Sequence, residues 1–76
     1  MPNHVYKLIE LVGSSETSIE AAIEVAVTKA AESVRHLRWV EVQQVRGHIE
    51  DGKIAHYQVS LKAAFTLEDE GAKLQL

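Results

Sequence analysis

The chain has 76 residues, no cysteine and a formal net charge of −3, with acidic and basic residues mixed along its length. A chain of this size forms one domain with a small core, and it has no disulfide or thiolate metal site to compensate. Because it lacks a basic face, it is not expected to bind nucleic acid, and no apolar run approaches the roughly 20 residues that span a bilayer. We therefore expect a single cytoplasmic domain over residues 1–76 that gains stability by forming oligomers.

The first predicted element is a strand over residues 5–12, a segment rich in β-branched and aliphatic residues. Apolar side chains occur at both odd and even positions of this segment, a pattern typical of a strand covered on both faces. Glycine, serine and threonine dominate residues 13–18, which predicts a loop.

A helix is predicted next, capped by Thr17 or Ser18. Thr17 followed by Glu20 fits a capping box, in which the hydroxyl and the carboxylate satisfy unpaired backbone N–H groups. Apolar residues then recur at helical spacing and form one stripe built mostly of small side chains. The stripe comprises Ile19, Ala22, Ile23, Ala26, Val27, Ala30 and Val34.

The strongest local signal is the pair Asp51-Gly52 between two long alternating runs, which predicts a hairpin with a type I′ turn. A two-residue loop fixes the register of the two strands. It places three pairs of residues opposite each other: Val42 with Leu61, Val40 with Ala63, and Gln44 with Val59. These pairs share one face. The opposite face is predicted to carry Trp39, Glu41, Gln43, Gln58, Ser60 and Lys62.

The element order predicts an α+β fold, β-α-β-β, with a three-stranded antiparallel sheet curled around one helix. The ordered core is expected over about residues 4–67, followed by a tail over residues 68–76. Each hairpin strand of about 13 residues would be roughly 43 Å long, whereas a helix of about 17 residues reaches roughly 26 Å. One helix cannot cover this sheet, so the sheet either curls around the helix or meets other subunits.

The chain's only tryptophan, Trp39, is predicted to lie on the polar face. Two interpretations stay open: a stacking platform for an aromatic ligand, or an anchor in an oligomer interface. Gln58 on the same face has an amide suited to the edge of a heterocycle, or is a solvated sheet residue. About six positions separate the two, close to 20 Å, so one small ligand could contact both only if they come from different subunits.

Other polar residues give weaker signals. Arg46 could hold a phosphate or could be an ordinary surface arginine. The predicted register places it on the Val42 face, which a β-bulge would reverse. Glu41 and Lys62 should form a weak cross-strand ion pair. Metal-ligand spacing and catalytic motifs are lacking, and the scattered histidines are expected to be solvated. These are His4, His36, His48 and His56.

Four segments together resemble the dodecin family. They are VYKLIELVGSS (residues 5–15), RWVEV (38–42), RGHIEDGK (46–53) and YQVSLK (57–62), in the order and spacing of that family. The resemblance covers residues 4 to about 67. Glu16 and Ile19 depart from it, since many members have proline and tryptophan near the helix start.

The resemblance implies a hollow homododecamer that holds pairs of flavins between tryptophans of neighbouring subunits. It assigns Trp39 to stacking on the flavin, Gln58 to the edge of the isoalloxazine, Arg46 to the region near the flavin, and Gln44 to the ribityl chain. FMN is the expected cofactor, riboflavin is a second candidate, and coenzyme A is a candidate additional ligand.

The resemblance therefore predicts a flavin storage or buffering protein that quenches the bound flavin and is not an enzyme. A flavin-dependent redox enzyme is one alternative. It would need an open flavin face and a proton donor, and the sequence indicates neither. A purely structural oligomer, in which the tryptophan is only an interface anchor, is the other.

Overall fold

The computed structural model describes residues 3–67. Its elements are β1 (Tyr6–Ser15), α1 (Ile19–Ala31), β2 (Leu37–Glu50) and β3 (Lys53–Thr66). The strands form one antiparallel sheet in the order β1-β3-β2. The predicted β-α-β-β topology and α+β class are confirmed. The predicted tail over residues 68–76 lies outside the described residues.

Helix α1 begins at the serine that follows the predicted loop. Ser18 is the N-cap, and its hydroxyl accepts a hydrogen bond of 3.0 Å from the Ala21 backbone N–H. The capping box predicted from Thr17 and Glu20 is therefore wrong, since the cap is Ser18 and the Thr17 N–H donates to the Ser15 hydroxyl at 2.9 Å. The helix has 13 residues and ends about one turn earlier than predicted, so Val34 lies beyond it.

Strand β1 is longer than predicted, because Gly13–Ser15 continues the pairing with β3 instead of forming a loop. Gly13 is buried opposite Val59. A Cβ at this position would clash with the Ala22 carbonyl oxygen and would come within 3.1 Å of the Ala26 Cβ. The glycine therefore allows the helix backbone to approach the strand.

The core lies between α1 and one face of the sheet. Its buried cluster consists of Ala22, Ala26, Val59 and Leu61, with Leu11, Ile19, Ile23 and Val40 packed around it. Within residues 3–67, the largest side chains that are fully buried are those of Leu61 and Val59. A core built mostly of alanine, valine and leucine buries little apolar surface, which limits the stability of an isolated subunit.

The hairpin turn agrees with the sequence prediction. Asp51 and Gly52 both have positive φ, 54° and 76°, as a type I′ turn requires. Glu50 lies opposite Lys53 across the loop. The predicted pairs of Val42 with Leu61 and Val40 with Ala63 are confirmed.

The third predicted pair is wrong. Gln44 lies opposite Ser60 instead of Val59, because the register shifts between Val42 and Gln44 and leaves Gln43 without a partner. Such a bulge inserts one extra residue and reverses which face the following residues occupy. A second register shift, between His48 and Ile49, restores the predicted register next to the turn. A third register shift lies between Leu37 and Trp39.

The hairpin extends beyond the helix. Strands of 14 residues are about 46 Å long, whereas a helix of 13 residues is about 20 Å long. The molecule is correspondingly elongated, with extents of 53 × 20 × 16 Å. Large apolar side chains near the end of the hairpin stay exposed, up to 67% for Ile49. The others in this region are Val42, Val45 and Ile54.

Candidate functional site

The face of the sheet turned away from α1, here called the outer face, carries the predicted site. Val59 and Leu61 point toward the helix, so the intervening residues of β3 and their partners point away from it. No helix or strand in residues 3–67 packs on this face. Its residues are Tyr6, Leu8, Glu10, Val12 and Ser14 on β1, Trp39, Glu41, Gln44, Arg46 and His48 on β2, and His56, Gln58, Ser60, Lys62, Ala64 and Thr66 on β3.

Trp39 lies at the start of β2 on the outer face, as predicted, and 46% of its surface is exposed. Its cross-strand partner is Ala64, whose small side chain is fully buried between the neighbouring strands. Across that strand the Tyr6 ring lies 4.8 Å from the Trp39 ring, centroid to centroid, at 60°. This tilted contact fixes the indole while leaving one side of it accessible.

The sequence prediction did not include Tyr6. The signal that could have identified it is Ala64, whose small side chain lets aromatic rings from the two neighbouring strands meet above it. Arg38 lies next to this group, and its Nε donates to the Thr66 hydroxyl at 2.8 Å. That hydrogen bond ties the start of β2 to the end of β3 beside the indole.

The other three predicted site residues lie together farther along the sheet. Arg46 is directly opposite Gln58, and its guanidinium donates a hydrogen bond to the Gln44 side-chain oxygen. The prediction that Arg46 lies on the Val42 face is wrong, because the bulge at Gln43 moves both Gln44 and Arg46 to the outer face. The bulge thus assembles two amides and one guanidinium into a polar cluster.

The indole and this polar cluster are far apart within one chain. Gln58 is six residues along β3 from Ala64, the partner of Trp39, which corresponds to about 20 Å. Between them Glu10, Lys62 and Glu41 lie side by side across the three strands. This row alternates in charge, so it adds no net attraction for an anionic ligand.

The outer face also has a pair of histidines that the sequence did not bring together. His48 and His56 are cross-strand partners, and their rings stack with centroids 4.8 Å apart and planes 19° apart. Within residues 3–67, no three histidine or acidic side chains converge in a geometry that could hold a metal ion. No helix in this range is long and apolar enough to cross a membrane.

Comparison with known proteins shows which family this chain belongs to. The dodecin family model matches residues 5–68. The curated dodecin of Thermus thermophilus is 48% identical over 65 residues, which cover 86% of this chain and 94% of that protein.

Solved structures agree with this assignment. Dodecin from Streptomyces coelicolor superposes with a TM-score of 0.85 at 51% identity, covering 91% of this chain and 99% of that one. Dodecin from Streptomyces davaonensis superposes with a TM-score of 0.84 at 38% identity, covering 90% of this chain and 100% of that one. The chain belongs to the dodecin family of small flavin-binding proteins.

Proposed function

We propose that this protein stores and buffers flavin, holding each isoalloxazine ring against Trp39 at an interface between subunits. One observation carries the proposal. An exposed tryptophan and a heterocycle-compatible amide occupy the same uncovered face, at a separation that no single flavin ring can span. Trp39 of one subunit and Gln58 of a neighbouring subunit would then contact the same flavin.

The proposed site requires that subunits assemble. The small core and the long hairpin of one subunit support such an assembly. The exposed apolar residues at the end of the hairpin need a cover that their own chain does not provide. Another copy of the chain supplies apolar surface of the same kind. We propose a hollow homododecamer, which is the expectation that the family resemblance provides.

The proposed chemistry is sequestration, and the protein is not an enzyme. A flavin stacked on the electron-rich indole has its excited state quenched, and a ring enclosed between tryptophans has no open face for a substrate. The side chains in contact with the indole are aromatic or small, and the nearest acidic residues, Glu41 and Glu10, lie one row along the sheet beside Lys62.

FMN is the proposed ligand in preference to riboflavin. The proposed location of the protein is the cytoplasm. Arg46 supplies a fixed positive charge beside Gln58, where the ribityl chain and phosphate of a bound flavin would extend. Gln44 orients the guanidinium and offers its amide to the ribityl hydroxyls. Coenzyme A is proposed only as a candidate ligand elsewhere on the assembly.

The test is titration of the flavin-free protein with FMN, followed by flavin emission. Trp39→Ala should weaken binding about tenfold or more, since aromatic pairing contributes about 0.5–1.5 kcal/mol beyond the area buried. It should also restore emission to the flavin that remains bound. Trp39→Phe should give intermediate affinity, because the phenyl ring still stacks on the flavin but is a poorer electron donor than the indole.

A suitable control is Val25→Ala, which removes an exposed apolar side chain from the helix, away from the outer face. It should bind and quench FMN as the unmodified protein does. If Trp39→Ala binds FMN equally well and its emission stays quenched, the stacking assignment is wrong.

A further inference from the structure

We propose that His48 and His56 form a second binding site, a two-imidazole chelate for a divalent transition-metal ion. The two residues are direct partners in neighbouring strands and lie on the same face. Their rings are stacked 4.8 Å apart. The pair lies two residues along the sheet from Arg46 and Gln58, on the side away from Trp39.

The separation of the two rings suits a chelate after a small rotation. With metal–nitrogen bonds of about 2.0–2.1 Å, two nitrogens in one tetrahedral shell lie about 3.3 Å apart. Opposed strand residues have Cβ atoms about 4.5–5.5 Å apart, so turning the two rings brings one nitrogen of each into that range. The rotation needs no change in the backbone pairing of His48 with His56.

The other ligands come from solvent, and one carboxylate lies near the pair. The Glu50 Oε2 atom lies 3.7 Å from the His48 Nε2 atom, and both side chains are more than half exposed. The carboxylate can therefore accept a hydrogen bond from a metal-bound water. The exposed edge of the pair leaves the remaining coordination positions to water.

The ligand chemistry selects the class of metal. Imidazole nitrogens suit Cu²⁺, Ni²⁺ and Zn²⁺, whereas Ca²⁺ and Mg²⁺ prefer oxygen ligands. Among these ions, Cu²⁺ binds most tightly to a given nitrogen site. The inferred ligand is therefore a borderline transition-metal ion, with Cu²⁺ as the strongest probe.

The experiment is calorimetric titration of the full-length protein with Cu²⁺, with electron paramagnetic resonance of the bound ion. Every protein in the series carries His4→Gln, so that the imidazole near the chain start adds no second site. We expect one Cu²⁺ per chain and a spectrum with two nitrogen ligands. His48→Gln and His56→Gln should each lower the affinity at least tenfold, because one imidazole alone does not chelate.

His36→Asn is the matched control. It removes a histidine far from the pair, and asparagine tolerates the positive φ of 65° at that position. It should leave Cu²⁺ binding unchanged, and excess Ca²⁺ should not displace the copper. The proposal is overturned if no Cu²⁺ binds, or if each histidine substitution only reduces the stoichiometry without changing the affinity. The second result would mean that the two imidazoles bind metal separately.

Discussion

Arg46 is the residue whose position most affects ligand choice. Riboflavin and FMN differ by a terminal phosphate that carries about 1.5–2 negative charges near neutral pH. An oligomer of chains with net charge −3 repels that phosphate unless a local cation meets it. Arg46 is exposed, lies opposite Gln58 and is oriented by Gln44, so it is available to such a ligand.

We predict that FMN binds about ten- to a hundredfold more tightly than riboflavin, since a charge-assisted hydrogen bond contributes about 1.5–3 kcal/mol. Arg46→Ala should remove most of this difference and leave riboflavin binding nearly intact. The measurement is titration of the flavin-free protein with both ligands, at low and high salt.

Lys53→Ala serves as the control, because it removes a positive charge from the hairpin end without touching the polar cluster. It should preserve most of the FMN preference. Equal affinities in the unmodified protein would contradict the assignment. So would an Arg46→Ala loss that is as large for riboflavin as for FMN.

At the scale of elements, the helix and the sheet are joined through small residues. Gly13, Ala22 and Ala26 allow the helix backbone to lie directly on β1, and the Ser18 cap fixes where the helix begins. The two alanines also form the buried core together with Val59 and Leu61 of β3. This packing therefore also determines the orientation of the outer face on the opposite side of the same strands.

We predict that Gly13→Ala destabilises the protein by about 1–3 kcal/mol, because an added methyl group in a well-packed core forces the backbone to shift. Here it would meet the Ala22 carbonyl group, which cannot rotate away. The measurement is denaturant unfolding at a fixed protein concentration, since assembly contributes to apparent stability.

Ser14→Ala, one residue along on the exposed face, is the matched control and should cost little. If Gly13→Ala unfolds at the same denaturant concentration as Ser14→Ala, the helix does not pack on β1 as closely as described.

The sequence was sufficient to predict the elements whose signals are local. The Asp51-Gly52 turn and the alanine stripe depend on neighbouring residues and lie where they were expected, and the cap is Ser18, one of the two predicted candidates. The helix end was less predictable. Val34 continues the apolar spacing, but the chain turns after Ala31 and reaches a residue with positive φ at His36.

The candidate site was only partly predictable, because it depends on strand order and on a bulge. Val42 and Val45 both face the helix although three positions separate them, which is possible only with an extra residue between them. The two glutamines between them are polar in either register, so alternation alone did not reveal the bulge. The contact of Tyr6 with Trp39 and the pairing of His48 with His56 likewise depend on three-dimensional neighbours.

At the scale of the whole molecule, one subunit is an incomplete structure. Its core is small, the hairpin extends well past the helix, and both the apolar hairpin end and the outer face lack a cover within the described chain. Assembly would bury these surfaces and bring Trp39 of one copy toward Gln58 of another. Oligomerisation and flavin binding are therefore parts of the same proposal.

The most direct test is native mass spectrometry of the full-length protein, before and after addition of FMN. We predict an assembly of twelve chains whose mass increases by bound FMN, with little signal at the 8.4 kDa mass of one chain. Trp39→Ala should keep the twelvefold assembly and lose most of the added FMN. A folded monomer at micromolar concentration, or a twelvefold assembly that takes up no flavin, would contradict the proposal that subunits meet to enclose the ligand.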